Sequence, residues 1–150
     1  MINAAIKEIL ESVPGVGVVS DYIRWAENWN TIIDRISSGG IVNTWMISRI
    51  ATESRRRNRK ELMHTFQIIG MYELNDENES EKTFQSLIDS VMTELDEYQT
   101  LNGTVETIHA DWGKLAGFDG LQIDNIEVRK IGGRLVHYAS CRLPVLEIIE

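Results

Sequence analysis

Residues 41–74 read IVNTWMISRIATESRRRNRKELMHTFQIIGMYEL, a block of cations set between two apolar runs. Five of the six residues from Arg55 to Lys60 are basic: Arg55, Arg56, Arg57, Arg59 and Lys60. They carry +5 in a chain of net charge −8, so the remainder sums to −13. Ile41–Ala51 and Leu62–Leu74 on either side have the β-branched and aromatic content of strands. The arrangement predicts a long hairpin with the cations pushed out at its tip, where they stay in water. A cationic finger on an acidic body suits docking to an anionic surface: a second copy, another protein or a nucleic acid. The plainer use of such a run is a solvated tip that keeps the hairpin from pairing further.

The two arms of this hairpin differ. Ile41, Trp45 and Ile47 point to one side of the first, and Val42, Met46 and Ile50 to the other. That pattern suits a strand covered on both faces, by helices or in part by a neighbouring subunit. A small domain has difficulty burying both Trp45 and Met46, which favours the subunit. In the second arm Leu62, His64, Phe66, Ile68, Tyr72 and Leu74 share one parity, against Thr65, Gln67 and Glu73. This is the alternation of a half-buried antiparallel strand.

Upstream, Ile2, Ile6, Ile9, Leu10 and Val13 make one face of a short helix that Pro14-Gly15 ends. Gly17-Val18-Val19 reads as a brief extended link. Tyr22, Trp25, Trp29, Ile32, Ile33 and Ile36 recur at helical spacing, so a helix is expected from Asp21 to Ile36, stopped by Ser37-Ser38-Gly39-Gly40. Downstream, Asn78 with Glu81 forms a capping-box pattern ahead of a helical stripe of Phe84, Leu87, Ile88, Val91, Leu95 and Tyr98. Asn102-Gly103 then turns into an expected short strand, Thr104–His109. An irregular loop over 110–120 follows, anchored by Trp112, Leu115 and Phe118. Ile123–Ile131 and Arg134–Ile148 form a second hairpin around Gly132-Gly133, a pair suited to the positive φ of a tight turn. Pro144 cannot donate to a ladder, which places its end of the strand at an edge or a bulge.

The expected fold is one α+β domain over 1–150. Its antiparallel (mixed at most) sheet has four to five strands, with two or three helices packed mainly on one face. No apolar stretch approaches the ~20 residues that cross a bilayer, and the N-terminus lacks a signal-peptide core. The single cysteine, Cys141, excludes an internal disulfide, and folding in a reducing cytoplasm is the economical expectation. The acidic balance argues against a broad nucleic-acid footprint, leaving the finger as the one basic feature.

The sequence offers no phosphate loop, nucleophile elbow or zinc helix, and no catalytic residue, metal site or cofactor is expected. His64 and His137 fall on inferred core faces, where histidines are mostly structural. Cys141 lies about 13 Å along the strand from His137, too far for a nucleophile–base pair. Asp76, Glu77, Glu79 and Glu81 lack the spacing and glycine of a calcium loop. Asp124 with Glu127-Val128-Arg129-Lys130 is a fragment of a magnesium-nuclease pattern, but arginine stands where that chemistry wants lysine.

Five stretches together resemble the tail-terminator (tail-completion) proteins of tailed bacteriophages and prophages. They are Asp21–Ala26, Gly40–Arg49, His64–Tyr72, Ser80–Gln85 and His137–Val145, and the resemblance spans about Ile2 to Glu147. It implies a non-enzymatic virion protein, assembled in the bacterial host cytoplasm. Such proteins form a ring, typically of about six copies, that caps the tail tube and ends its polymerisation. The implied partners are further copies of itself, the tail tube protein, a head-closure or neck protein and, as a further candidate, the tail sheath protein. DNA passes through without specific binding, repelled by acidic residues around the pore, and no membrane is involved. On this reading Arg55, Arg56, Arg57, Arg59 and Lys60 dock a neighbour or the last tube ring. Trp45, Ile47, Arg49, Met71 and Tyr72 are candidates for the ring interface. Two alternatives stay open: a head-closure or neck adaptor of the same assembly, and a nucleic-acid-binding module using the finger with Trp45 or Tyr72 as stacking platforms.

Overall fold

The computed structural model describes residues 1–24, 28–56, 58–109 and 120–149. Helix α1 (Ile2–Glu11) leads into strand β1 (Val18–Ser20), then β2 (Ser37–Ser38), β3 (Ile41–Arg56) and β4 (Lys60–Glu73). Helix α2 (Ser80–Glu97) separates these from β5 (Gln122–Ile131) and β6 (Arg134–Ile149). The sheet runs β1-β3-β4-β6-β5, with β2 beside the start of β3. All pairings are antiparallel except that of β1 with β3, so the α+β fold has a mixed, six-stranded sheet. Asn43 draws β1 in: its side chain accepts from Gly17 N (3.2 Å) and donates to Gly15 O (3.0 Å). Thr44 Oγ1 also donates to Val18 O at 2.8 Å. These bonds turn the expected extended link into a sixth strand.

Both hairpins form as their sequences predict. β3 and β4 pair from Asn43↔Tyr72 out to Arg56↔Lys60, longer than the expected Ile41–Ala51 arm, with a bulge at Arg49/Ala51. β5 and β6 turn through Gly132 (φ +55) and Gly133 (φ +79). Pro144 follows the edge rule. β6 is central, but β5 reaches only Arg142. Because Leu146 N donates outward to Thr107 O, the proline nitrogen two residues earlier faces that same side, where β5 is absent.

α1 and α2 lie on one face of the sheet, over Trp45, Ile47, Phe66, Ile68, Ala139, Cys141, Leu143 and Val145. Among the described residues, a second cluster covers one end of the opposite face. There Ile33 and Ile36 close over Val42, Met46, Ile69, Met71 and Val136. These two isoleucines belong to the segment expected as a helix from Asp21 to Ile36. The described part instead forms two 3₁₀ turns, Trp29–Thr31 and Ile33–Ile36, with Ile32 at φ −120 between them. Asn28 competes for the backbone by accepting from Asn30 N at 3.0 Å, and Asn, Thr and paired Ile are poor helix formers. Short turns suffice to bring the apolar stripe to the sheet. Ser37-Ser38-Gly39-Gly40 is β2 with the tight Gly39-Gly40 turn into β3 rather than a helix stop.

Two further expectations need correction. The capping box at Asn78 does not form, because residues 76–78 make their own 3₁₀ turn, capped by Asn75. Glu79, left-handed at φ 53, precedes α2, and Ser80 Oγ accepts from Asn75 N at 2.8 Å. Thr104–His109 is not a strand: it touches the sheet through one bridge, Thr107↔Leu146. The segment folds back against α2 so that Leu101, Val105 and Ile108 plug the core. Trp25, Arg57 and the loop with Trp112, Leu115 and Phe118 lie outside the described residues.

Trp45 and Met46 are both buried within the chain, at 0% and 1% exposure. Trp45 lies under α2, its ring 6.2 Å from that of Phe84, while Met46 lies under the 3₁₀ turns. Gly70 is the cross-strand partner of Trp45, and a Cβ there would stand 2.8 Å from the indole ring. Glycine is thus required by close approach, at a negative-φ position where alanine would otherwise be favoured. Gly70→Ala is expected to cost about 1–3 kcal/mol in urea unfolding. The cost should shrink in a Trp45→Leu background, the sign of a direct steric coupling.

Candidate functional site

The cationic finger is the closed end of the β3–β4 hairpin. Arg55 pairs in register with Glu61 and forms an ion pair with it at 3.2 Å, which leaves Arg55 half-buried. Arg56, Arg59 and Lys60 are exposed. β6 runs alongside to the tip, with Ile149 opposite Lys60 and 43% exposed. Behind the tip His64 fastens the three strands together. Its Nδ1 lies 2.9 Å from Thr52 Oγ1 on β3, and its Nε2 lies 3.2 Å from Glu147 Oε1 on β6. His64 is 2% exposed, so the pairing is a strand clamp, in keeping with a structural histidine.

His137 is likewise built in. Its Nε2 is 2.8 Å from Ser80 Oγ, and its ring stacks on Phe84 at 5.8 Å. Cys141 is fully buried, and loss of solvation, with the Asp124 carboxylate adding to it, pushes its thiol up to about 12. The carboxylates of the nuclease-like fragment are engaged by arginines. Arg142 forks onto Asp124 at 2.6 and 2.8 Å, and Arg129 pairs with Glu127. Among the described residues no three His, Cys, Asp or Glu side chains gather where they could share a metal ion. No helix among them is long and apolar enough to cross a membrane.

The ring-interface candidates divide by burial. Trp45 and Ile47 at 0% and Met71 at 3% are core residues that a neighbouring chain could not touch. Tyr72 is half-buried and stacked on Phe84 at 6.3 Å, and Arg49 alone is exposed. The same burial removes Trp45 as a stacking platform for bases. What made Trp45 resemble an interface residue was apolar content on both parities, and the 3₁₀ cover supplies the second face internally.

A groove missed in the sequence lies between the N-terminal half of α2 and β5. It measures about 560 Å³. Phe84 and His137 form its floor, and Ile126 and Val128 are 46% and 52% exposed along one wall. Asp76, Glu79, Glu81 and Glu127 line it, against one lysine, Lys82, which Glu79 pairs at 3.1 Å. The sequence signal was present in the apolar Ile126 and Val128 on an outer strand beside an acidic helix start. Only the position of α2, which stops short of β5, turns them into a groove.

No protein-family model matches this chain, and no curated protein matches its sequence. Its fold and surfaces therefore carry the functional argument. The buried thiol sets a chemical test of the fold around it. In the native protein Cys141 should not react with a thiol reagent at pH 8, and it should react at once in urea. Its folded value lies above its unfolded one, so the stabilisation it contributes is complete below about pH 9 and declines as pH rises toward 12. The slope from this group is at most about 1.4 kcal/mol per pH unit, read from unfolding curves at stepped pH.

Proposed function

We propose that this chain is a structural, non-enzymatic neck protein of a phage tail, most specifically the tail terminator, acting as a ring around the DNA path. The observation that carries the reading is the half of the second sheet face on which none of the described residues packs. Beyond the 3₁₀ cover, that face shows Ser48, Thr65, Gln67, Ser140 and Arg142, all half-buried, with Met63, Leu146 and Arg55 further toward the tip. Gln67 donates to Ser140 Oγ at 3.2 Å, and the charge of Arg142 is met by Asp124. A sheet face with short polar groups at its middle, whose cations Arg142 and Arg55 are met by Asp124 and Glu61, suits a lumen along which a polyanion slides. It offers neither stacking rings nor free cations to hold a phosphate backbone. The net charge of −8 adds general repulsion.

On this reading the helices form the outside of the ring, and the finger reaches to a neighbour or to the last ring of the tube. The sheet leaves the far half of β3, beyond the short β1, and the outer side of β5 without strand partners among the described residues. These are edges that another chain can meet. The bulge at Arg49/Ala51, the charged residues of β5 and its own bulge at Ile123/Asn125 keep them from indiscriminate pairing.

Light scattering with negative-stain imaging of the same peak tests the reading. A multimer of about six copies with a central hole is expected. It should stop tail-tube growth when added to polymerising tube protein, and it should not retard DNA in a gel at physiological salt. A compact monomer that neither closes on tube ends nor alters tube length would refute the proposal.

A further inference from the structure

We infer that the acidic groove between α2 and β5 is the socket for the basic finger of a second copy of this chain. The inference rests on the ring reading above and names the contact that would build the ring.

Charge is the first argument. Four carboxylates line the groove against one lysine. Of these, Asp76 and Glu81 make no ion pair among the described residues, so their charges are free to meet a cation. The finger presents Arg56, Arg59 and Lys60 exposed, beyond the internally paired Arg55. Apolar content matches as well. Ile126 and Val128 stand exposed in the groove, and Ile149 stands exposed beside Lys60 at the tip.

Geometry supplies the second argument. The tip lies where Lys60 pairs with Ile149, and the groove lies where Tyr72 pairs with His137 and His137 with Val128. Along β4 these places are twelve residues apart, roughly 40 Å of strand. Both sit on the same rigid sheet, so a chain cannot seat its finger in its own groove. Two complementary patches at opposite ends of one body make a head-to-tail contact, which closes into a ring when the rotation between copies allows it. The contact is wet and charged, so it should weaken as salt rises.

The test uses two charge-reversed forms of the full chain. One carries Arg56→Glu and Arg59→Glu in the finger; the other carries Asp76→Lys and Glu81→Lys in the groove. All four side chains are exposed, and circular dichroism should show both forms folded. Each form alone sets like charges against like, and light scattering should give the mass of a single chain. An equimolar mixture restores opposite charges at every contact, so the wild-type mass should return with the two forms alternating. A wild-type multimer that survives both reversals would overturn the finger–groove contact while leaving the ring reading intact. A wild-type chain that remains monomeric overturns self-docking, and DNA retardation lost only in the finger variant would then assign the cations to nucleic acid.

Discussion

Trp45 lies flat across β4 because Gly70 opposite has no side chain, and on its other side it meets Phe84 of α2. This contact joins the central strand pair to the long helix. Phe84 in turn stacks on His137 and Tyr72, which binds β6 and β4 to the same helix. Ser80, at the first turn of α2, completes the connection through its hydroxyl to His137. The helix is therefore held over β3, β4 and β6 by one aromatic cluster. Its placement leaves β5 uncovered. The groove follows from that placement, because Ile126 and Val128 have no helix above them.

A single sheet covered in this way has a built-in direction. Its covered face carries both helices, and among the described residues its other face is closed at one end by two short turns and shows polar groups such as Gln67 and Ser140 beyond them. The hairpin that forms the central strands runs out past these groups to the cationic tip, where His64 clamps it to its neighbours. The acidic socket lies at the opposite end. A domain with such polarity presents different surfaces to the neighbours before and after it, as a head-to-tail assembly requires.

Much of the architecture was legible in the residues because it depends on local chemistry. Gly132-Gly133 between two alternating runs specifies a hairpin wherever it occurs, and the cations of 55–60 cannot be placed inside a sheet. The stripe from Phe84 to Leu95 has one helical solution. The segment 21–36 was less determinate. Its spacing fits an α-helix, yet 3₁₀ turns deliver Ile33 and Ile36 to the same side, and Asn28 and Ile32 favour the tighter turns. For the candidate site, the finger was visible as charge. The socket was not, since its residues come from 76–85, 126–128 and 137.

The sequence by itself determined the two hairpins, the two helices, the basic tip and the core placement of His64 and His137, since each rests on period, turn chemistry or charge within a few residues. Tertiary structure alone decided that Trp45, Ile47 and Met71 are core, that β1 joins in parallel through Asn43, and that α2 leaves β5 bare. The physical reason is that burial belongs to a face and not to a residue. Which side chains lose their water depends on what distant segments pack above them, and no pattern within one strand records that.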